Sequence, residues 1–184
     1  MSETASRTSP ELVLVELDPG QADALAEFFT ALPEGDRTFV KEPVDDLAVV
    51  RGWAEAQGRA ARWLAVSEDA VVGYLALLPL TGWSSHVGEL RLVVAPEARG
   101  QGVGARLAEH ALTAAVEMGL SKVVVEVVAV QETTIGMFNR LGFRGEALLT
   151  DQIRDGDGEL QDLVVLAHDV HAAASALETV GADD

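Results

Sequence analysis

Val94-Ala95-Pro96-Glu97-Ala98-Arg99-Gly100-Gln101-Gly102-Val103-Gly104 joins an apolar, β-branched run (86–95) to a stretch (103–118) whose Leu107, Ala108, Ala111, Leu112 and Ala115 share one helical face. The passage therefore reads as strand, proline turn, glycine loop and helix. Glycines at alternate positions let backbone N–H groups crowd around an anion, and the positive end of the helix dipole favours the same charge. A phosphate-bearing ligand follows from that pattern. A dinucleotide site of the doubly wound kind would need G-x-G-x-x-G early in a βαβ unit, and a P-loop would need Gly-Lys-Ser/Thr. Neither is present. Arg99, at the leading edge, either pairs with a phosphate or is simply solvated.

Working outward, residues 12–17 and 62–67 read as strands, and 71–80 pairs with the latter across the turn Glu68-Asp69-Ala70. Leu25, Phe28, Phe29 and Leu32 mark a helix over 21–32, which Pro33-Glu34-Gly35-Asp36 breaks, and Leu47, Val50 and Trp53 mark another over 45–57 with Asp45 or Asp46 as cap. On the C-terminal side, 122–130 is a run too apolar for a surface strand, 131–141 returns to helical spacing, and 147–154 with 160–166 form a hairpin around Asp155-Gly156-Asp157-Gly158. That turn lacks the ligand spacing of a calcium loop. The order is β-α-α-β-β-β-α-β-α-β-β in one mixed α/β domain over 11–170, with a polar arm at 1–10 and an alanine-rich tail at 171–184.

Composition narrows the partners. With 13 Lys and Arg against 30 Asp and Glu the net charge is −17, which repels phosphate backbones and anionic membranes. Nucleic acid and membrane are not expected partners; the same field either attracts a cationic amine or merely keeps the protein soluble. The chain has no cysteine and no apolar run long enough to span a bilayer, and Met1-Ser2-Glu3-Thr4 has no signal-peptide character, so a cytoplasmic protein is expected.

The stretch 94–104 resembles the signature of the GNAT acetyltransferases, in which an Arg/Gln-x-x-Gly-x-Gly/Ala loop holds the pyrophosphate of coenzyme A. A second segment, Gln131 to Phe143 with Met137-Phe138-Asn139-Arg140-Leu141-Gly142-Phe143 at its end, resembles the family's helix that closes on Leu-Gly-Phe. The resemblance covers about residues 12–170. It implies the GNAT acyl-CoA N-acyltransferase fold and acetyl-CoA as cosubstrate. His86, His110, His168 and His171 are scattered, and His168-Asp169-Val170-His171 lacks the Glu of a zincin motif, so no metal is expected. The acetyl group would pass by direct attack, through a tetrahedral intermediate, to a small-molecule or peptide amine. Leu92, Val93 and Val94 would then offer main-chain groups to the pantetheine and thioester, and Arg99, Gly100, Gln101, Gly102, Val103 and Gly104 would hold the pyrophosphate. Gln131 and Thr134 would hydrogen-bond the coenzyme, unless they are merely exposed helix positions. Homodimers through the last strands are common among similar proteins.

Transfer to an amine needs a neutral amine, although an alkyl ammonium titrates near ~10.4, so the site requires a base. Glu89 is the candidate, a carboxylate inside an apolar strand where similar enzymes often use an acid. The alternative is a solvated sheet position, paired across the strand or to Arg91. Glu126 is the second candidate. Phe138 stands where many members carry a tyrosine that protonates the departing thiolate; it packs against the pantetheine or belongs to the core. That departure motivates a competing reading, a non-catalytic acyl-CoA-binding module or sensor. Acceptor contacts are expected from Pro33 to Val44, from Thr81 to Ser85 with Trp83, and from the last hairpin's loop.

Overall fold

The computed structural model describes residues 11–170 except Phe39 and Gln57, so the expected arm (1–10) and tail (171–184) lie outside the described residues. Seven strands form one sheet: β1 (Leu12–Glu16), β2 (Ala61–Ser67), β3 (Ala70–Pro79), β4 (Val87–Val94), β5 (Lys122–Val128), β6 (Arg144–Arg154) and β7 (Leu160–Asp169). The helices are α1 (Ala22–Ala31), α2 (Glu34–Thr38), α3 (Leu47–Glu55), α4 (Val103–Glu117) and α5 (Glu132–Arg140). This is the expected mixed α/β order with one addition.

The addition is α2, at the point where Pro33 predicts only a break. Proline is tolerated at a helix start because its missing N–H would have no partner there. The Pro33 carbonyl accepts from the N–H groups of Asp36 (3.0 Å) and Arg37 (3.1 Å), and Glu34 and Asp36 place negative charge in the first turn. Asp46, rather than Asp45, caps α3, accepting from Ala48 N at 3.0 Å. The strands of the last hairpin outrun their expected ends: Arg144 pairs with Ala167, so β6 starts early, and Asp169 pairs with Lys122, so β7 ends late.

The sheet order is β1-β2-β3-β4-β5-β7-β6, antiparallel except between β4 and β5. Helices cover both faces. On one, Tyr74 of β3 meets Phe29 of α1 edge-on at 5.2 Å and stacks on Trp53 of α3 at 5.8 Å. On the other, α4 lies so close to β3 that a Cβ on Gly73 would stand 3.0 Å from Leu107 Cδ1. Side chains alternate along β3, which is why one strand seals both layers.

The parallel pairing of β4 and β5 runs from Val87 opposite Lys122 only to Leu90 opposite Val125. Beyond it β4 stays paired with β3, up to Val94 opposite Gly73, while β5 stays with β7, up to Val128 opposite Leu163. The two central strands fork, and the fork exposes one edge of each backbone.

Candidate active site

A cleft of about 1130 Å³ occupies the fork. Glu89, Leu92, Val93, Val94, Arg99, Gly100, Gly102, Val103, Gly104, Gln131, Thr134 and Phe138 all line it. Gln101 does not: its side chain turns back and donates from Nε2 to the Glu97 carbonyl at 2.8 Å.

One end of the cleft is made of backbone. Gly100 (φ 73°) and Gly102 (φ 83°) adopt left-handed conformations that disfavour any side chain. Gly102 is also the N-cap of α4 and offers no side-chain cap. The first-turn N–H groups of α4, on Val103, Gly104 and Ala105, have no partner within the helix, and all three residues line the cleft. Such a terminus suits an anion. Gly104 meets a second demand, since a Cβ there would come within 3.2 Å of Met137 Sδ on α5. Arg99 is not free in solvent: its Nε donates to the Val94 carbonyl (3.2 Å) and its Nη2 pairs with Asp36 of α2 (2.8 Å).

Along the wall, Gln131 and Thr134 at the start of α5 are half-buried. Phe138, 1% exposed, meets Phe143 edge-on at 5.0 Å, so it belongs to the core while its surface closes the cleft.

The opposite end is made of charged side chains on the face shared by Glu89, Arg91 and Glu126. Glu89 Oε1 accepts from Arg91 Nε (2.9 Å) and Lys41 Nζ (3.0 Å), and Lys41 also donates to Glu126 Oε2 (3.0 Å). Lys41 thus bridges β4 and β5 at the fork. Burial raises the Glu89 carboxyl, yet the hydrogen bonds and charges of Arg91 and Lys41 outweigh it and hold the group below the usual carboxylate range. Of the two expectations for Glu89, the pairing with Arg91 is observed, but its side chain is only 13% exposed.

Glu42 is deeper, with a side chain 8% exposed. Its Oε1 faces Arg91 Nη1 (3.1 Å) and Arg62 Nη2 (3.9 Å), whereas its buried Oε2 has no hydrogen-bond partner. Here burial wins over both arginines, and the carboxyl is raised. Arg62 is itself fixed by donating to Tyr74 Oη (3.1 Å) and lying 5.3 Å over the Trp53 ring.

Sequence reasoning did not single out Lys41 or Glu42, although they lie on the 33–44 connection from which acceptor contacts are expected. That connection also supplies Asp36 and Val40. Thr81 to Ser85 contributes nothing to the cleft, and Trp83 is 96% exposed. The last hairpin contributes Gln152, Ile153 and Leu163 rather than its turn, which is stapled by Asp155 accepting from Asp157 N and Glu159 N. Among the described residues, no three His, Asp or Glu side chains are grouped to hold a metal ion, and no helix is long and apolar enough to cross a membrane.

Known proteins resemble this chain in sequence and in fold. An uncharacterized N-acetyltransferase of Escherichia coli (strain K12) is 36% identical over 84 residues, 45% of this chain and 50% of that protein. N-acetyltransferase 8B of Homo sapiens is 34% identical over 85 residues, 45% of this chain and 37% of that one. The chain spans half or less of these curated relatives. Among solved structures, a ribosomal-protein-alanine N-acetyltransferase from Brucella melitensis superposes with a TM-score of 0.76 at 23% identity, covering 85% of this chain and 99% of that one. A phosphinothricin acetyltransferase from Sinorhizobium meliloti, solved in complex with AcCoA, gives 0.73 at 18%, covering 86% and 88%. Both have the same fold. The model of the acetyltransferase (GNAT) family matches residues 23–143, from α1 through the glycine loop to the Leu-Gly-Phe end of α5, and the chain belongs to that family.

Proposed function

We propose that the protein is an acetyl-CoA-dependent N-acetyltransferase that transfers the acetyl group directly to an amine. The observation that carries this reading is the uncapped start of α4 opening, through left-handed Gly100 and Gly102, onto the fork between β4 and β5. The N–H groups of Val103, Gly104 and Ala105 and the Arg99 guanidinium suit the pyrophosphate. The edge of β4 from Leu92 to Val94, which has no strand partner on its β5 side, suits the pantetheine and a developing oxyanion, and Gln131, Thr134 and Phe138 form the facing wall.

In this reading a small-molecule or peptide amine enters beside Glu89 as the ammonium. Glu89 stays ionised at neutral pH and holds that charge, then receives the proton directly or through water. Phe138 has no proton to give, so the thiolate leaves as such or takes a proton from water or from the amine; a thiol that titrates near ~8.5 allows this.

The test is thiol release from acetyl-CoA across a broad panel of amines, peptides and antibiotics, alongside calorimetry. Binding with turnover, lost in Glu89→Gln, supports the reading. The second reading, an acyl-CoA-binding module without turnover, is favoured by Phe138 and by the cations that weaken Glu89 as a base. Tight acetyl-CoA binding with a silent panel would select it.

A further inference from the structure

The chain contains only two lysines, Lys41 and Lys122, and they sit in different surroundings. Lys122 Nζ lies 2.7 Å from both carboxylate oxygens of Glu146, at the end of β5 remote from the fork. Lys41 Nζ is in the cleft, between Glu89 of β4 and Glu126 of β5. We propose that Lys41 is itself an acetyl acceptor, modified on Nζ by the cleft of its own chain. The proposal rests on the acetyl-CoA reading above and adds a modification site to it.

Three features support it. First, Lys41 Nζ already occupies the place expected of an acceptor ammonium, 3.0 Å from Glu89 Oε1. Second, its side chain is 49% exposed, so the flexible methylene stem is not locked in the core and can swing along β4. Arg91, the first β4 residue beyond the fork, lies only about 7 Å along the strand from Glu89. Third, the swing takes Nζ away from Glu89 and Glu126, whose hydrogen bonds and charges outweigh burial and raise the lysine above its ordinary range, so the amine is easier to deprotonate once it leaves them. The ammonium gives up a proton through Glu89 or water, and the neutral amine attacks the thioester carbonyl carbon. The N–C bond forms and the C–S bond breaks. Of the two protons that nitrogen gives up, one goes to the coenzyme A thiolate and one to solvent, so the products are N-acetyl-Lys41, coenzyme A and a proton.

The modification would change the site. Lys41, Arg62 and Arg91 balance Glu42, Glu89 and Glu126, and acetylation leaves one net negative charge. Glu89 and Glu126 lose their shared cation and stand ready for the ammonium of a second acceptor. Lys41 is therefore placed to act as a plug that the enzyme removes from its own acceptor seat.

Lys122 serves as the internal control. The two side chains are comparably exposed, 49% and 35%, and both are held by carboxylates, so random chemistry gives Lys41 no large advantage. The full chain is incubated with carbon-13-labelled acetyl-CoA, and heavy acetyl on each lysine is followed by peptide mass spectrometry, with calorimetry in parallel. We expect Lys41 to be labelled at least about tenfold faster than Lys122, from proximity alone. Excess free coenzyme A should bring it down to the Lys122 rate. Equal rates, or labelling that coenzyme A does not suppress, would overturn the proposal. Acetyl-CoA binding without Lys41 labelling overturns self-acetylation and leaves the cofactor reading intact; no binding overturns both.

Discussion

At the α4 end of the cleft the chain presents its own backbone, in two left-handed glycines and a helix start without a side-chain cap. At the fork end it presents Lys41, Glu42, Glu89, Arg91 and Glu126, backed by Arg62, brought together from a connection and three strands. A backbone site fixes the shape of an anion and is blind to most substitutions except those that forbid its torsions. A side-chain cluster fixes charge and proton affinity, and each of its members depends on the others. The two ends should therefore fail differently.

The largest expected effect lies at the charged end. Glu42→Ala leaves Arg62 and Arg91 facing each other in a sheltered site, a loss of about 3 kcal/mol by analogy with other buried pairs, read from urea unfolding. Acetyl-CoA affinity in the folded protein should stay within error. A matching loss of affinity would show that the ends are coupled. At the backbone end, Gly102→Val forces a β-branched residue to φ near 83°, a strain of about 1–3 kcal/mol. Its acetyl-CoA Kd should rise about tenfold or more by calorimetry, unlike that of Glu42→Ala.

A pH series sharpens the contrast between the two carboxylates. Glu89 is held below its ordinary 4.5, so its contribution is complete above that value and is lost as the pH falls through its folded-state value. Glu42 is raised above 4.5, so its ionisation opposes folding, increasingly as the pH rises from 4.5 through its folded-state value. Stability curves of Glu89→Gln should lose part of the acid limb, and those of Glu42→Gln should lose part of the fall above pH 4.5. The same slopes in both variants would contradict this assignment. The smallest effect belongs to Asp36→Asn, which breaks a half-exposed pair with Arg99. Stability should change by less than about 1 kcal/mol, and acetyl-CoA should bind somewhat more tightly because a negative charge leaves the proposed pyrophosphate site.

The backbone end was legible in the sequence because only glycine can make it. Alternate glycines between a strand and a helix announce the torsions, the open N–H groups and the charge they favour at once. Gln101 falls outside the cleft because a loop's spacing does not say which side chains turn outward. The charged end was mostly illegible. Glu89 stood out as a carboxylate in an apolar strand, but its partners lie 48 residues away at Lys41 and two away at Arg91. Glu42 carried no local signal, since its burial comes from Arg62 and Arg91 closing over it. Likewise Pro33 signals a stop but cannot say that a new helix begins on it.

The position of β7 has a consequence for how the chain is made. Val123 to Val128 is a valine run broken only by Glu126, and its second neighbour, β7, is finished only at Asp169, roughly forty residues later. During synthesis β5 must wait with one edge bare, flanked by β4 over only four residue pairs. Such a pause favours pairing with other nascent chains, and the high contact order slows its closure. Glu126, placed midway along this run, interrupts it with a charge. A residue that serves the finished cleft thus also guards the unfinished sheet, and a neutral replacement there should show itself first as aggregates on expression.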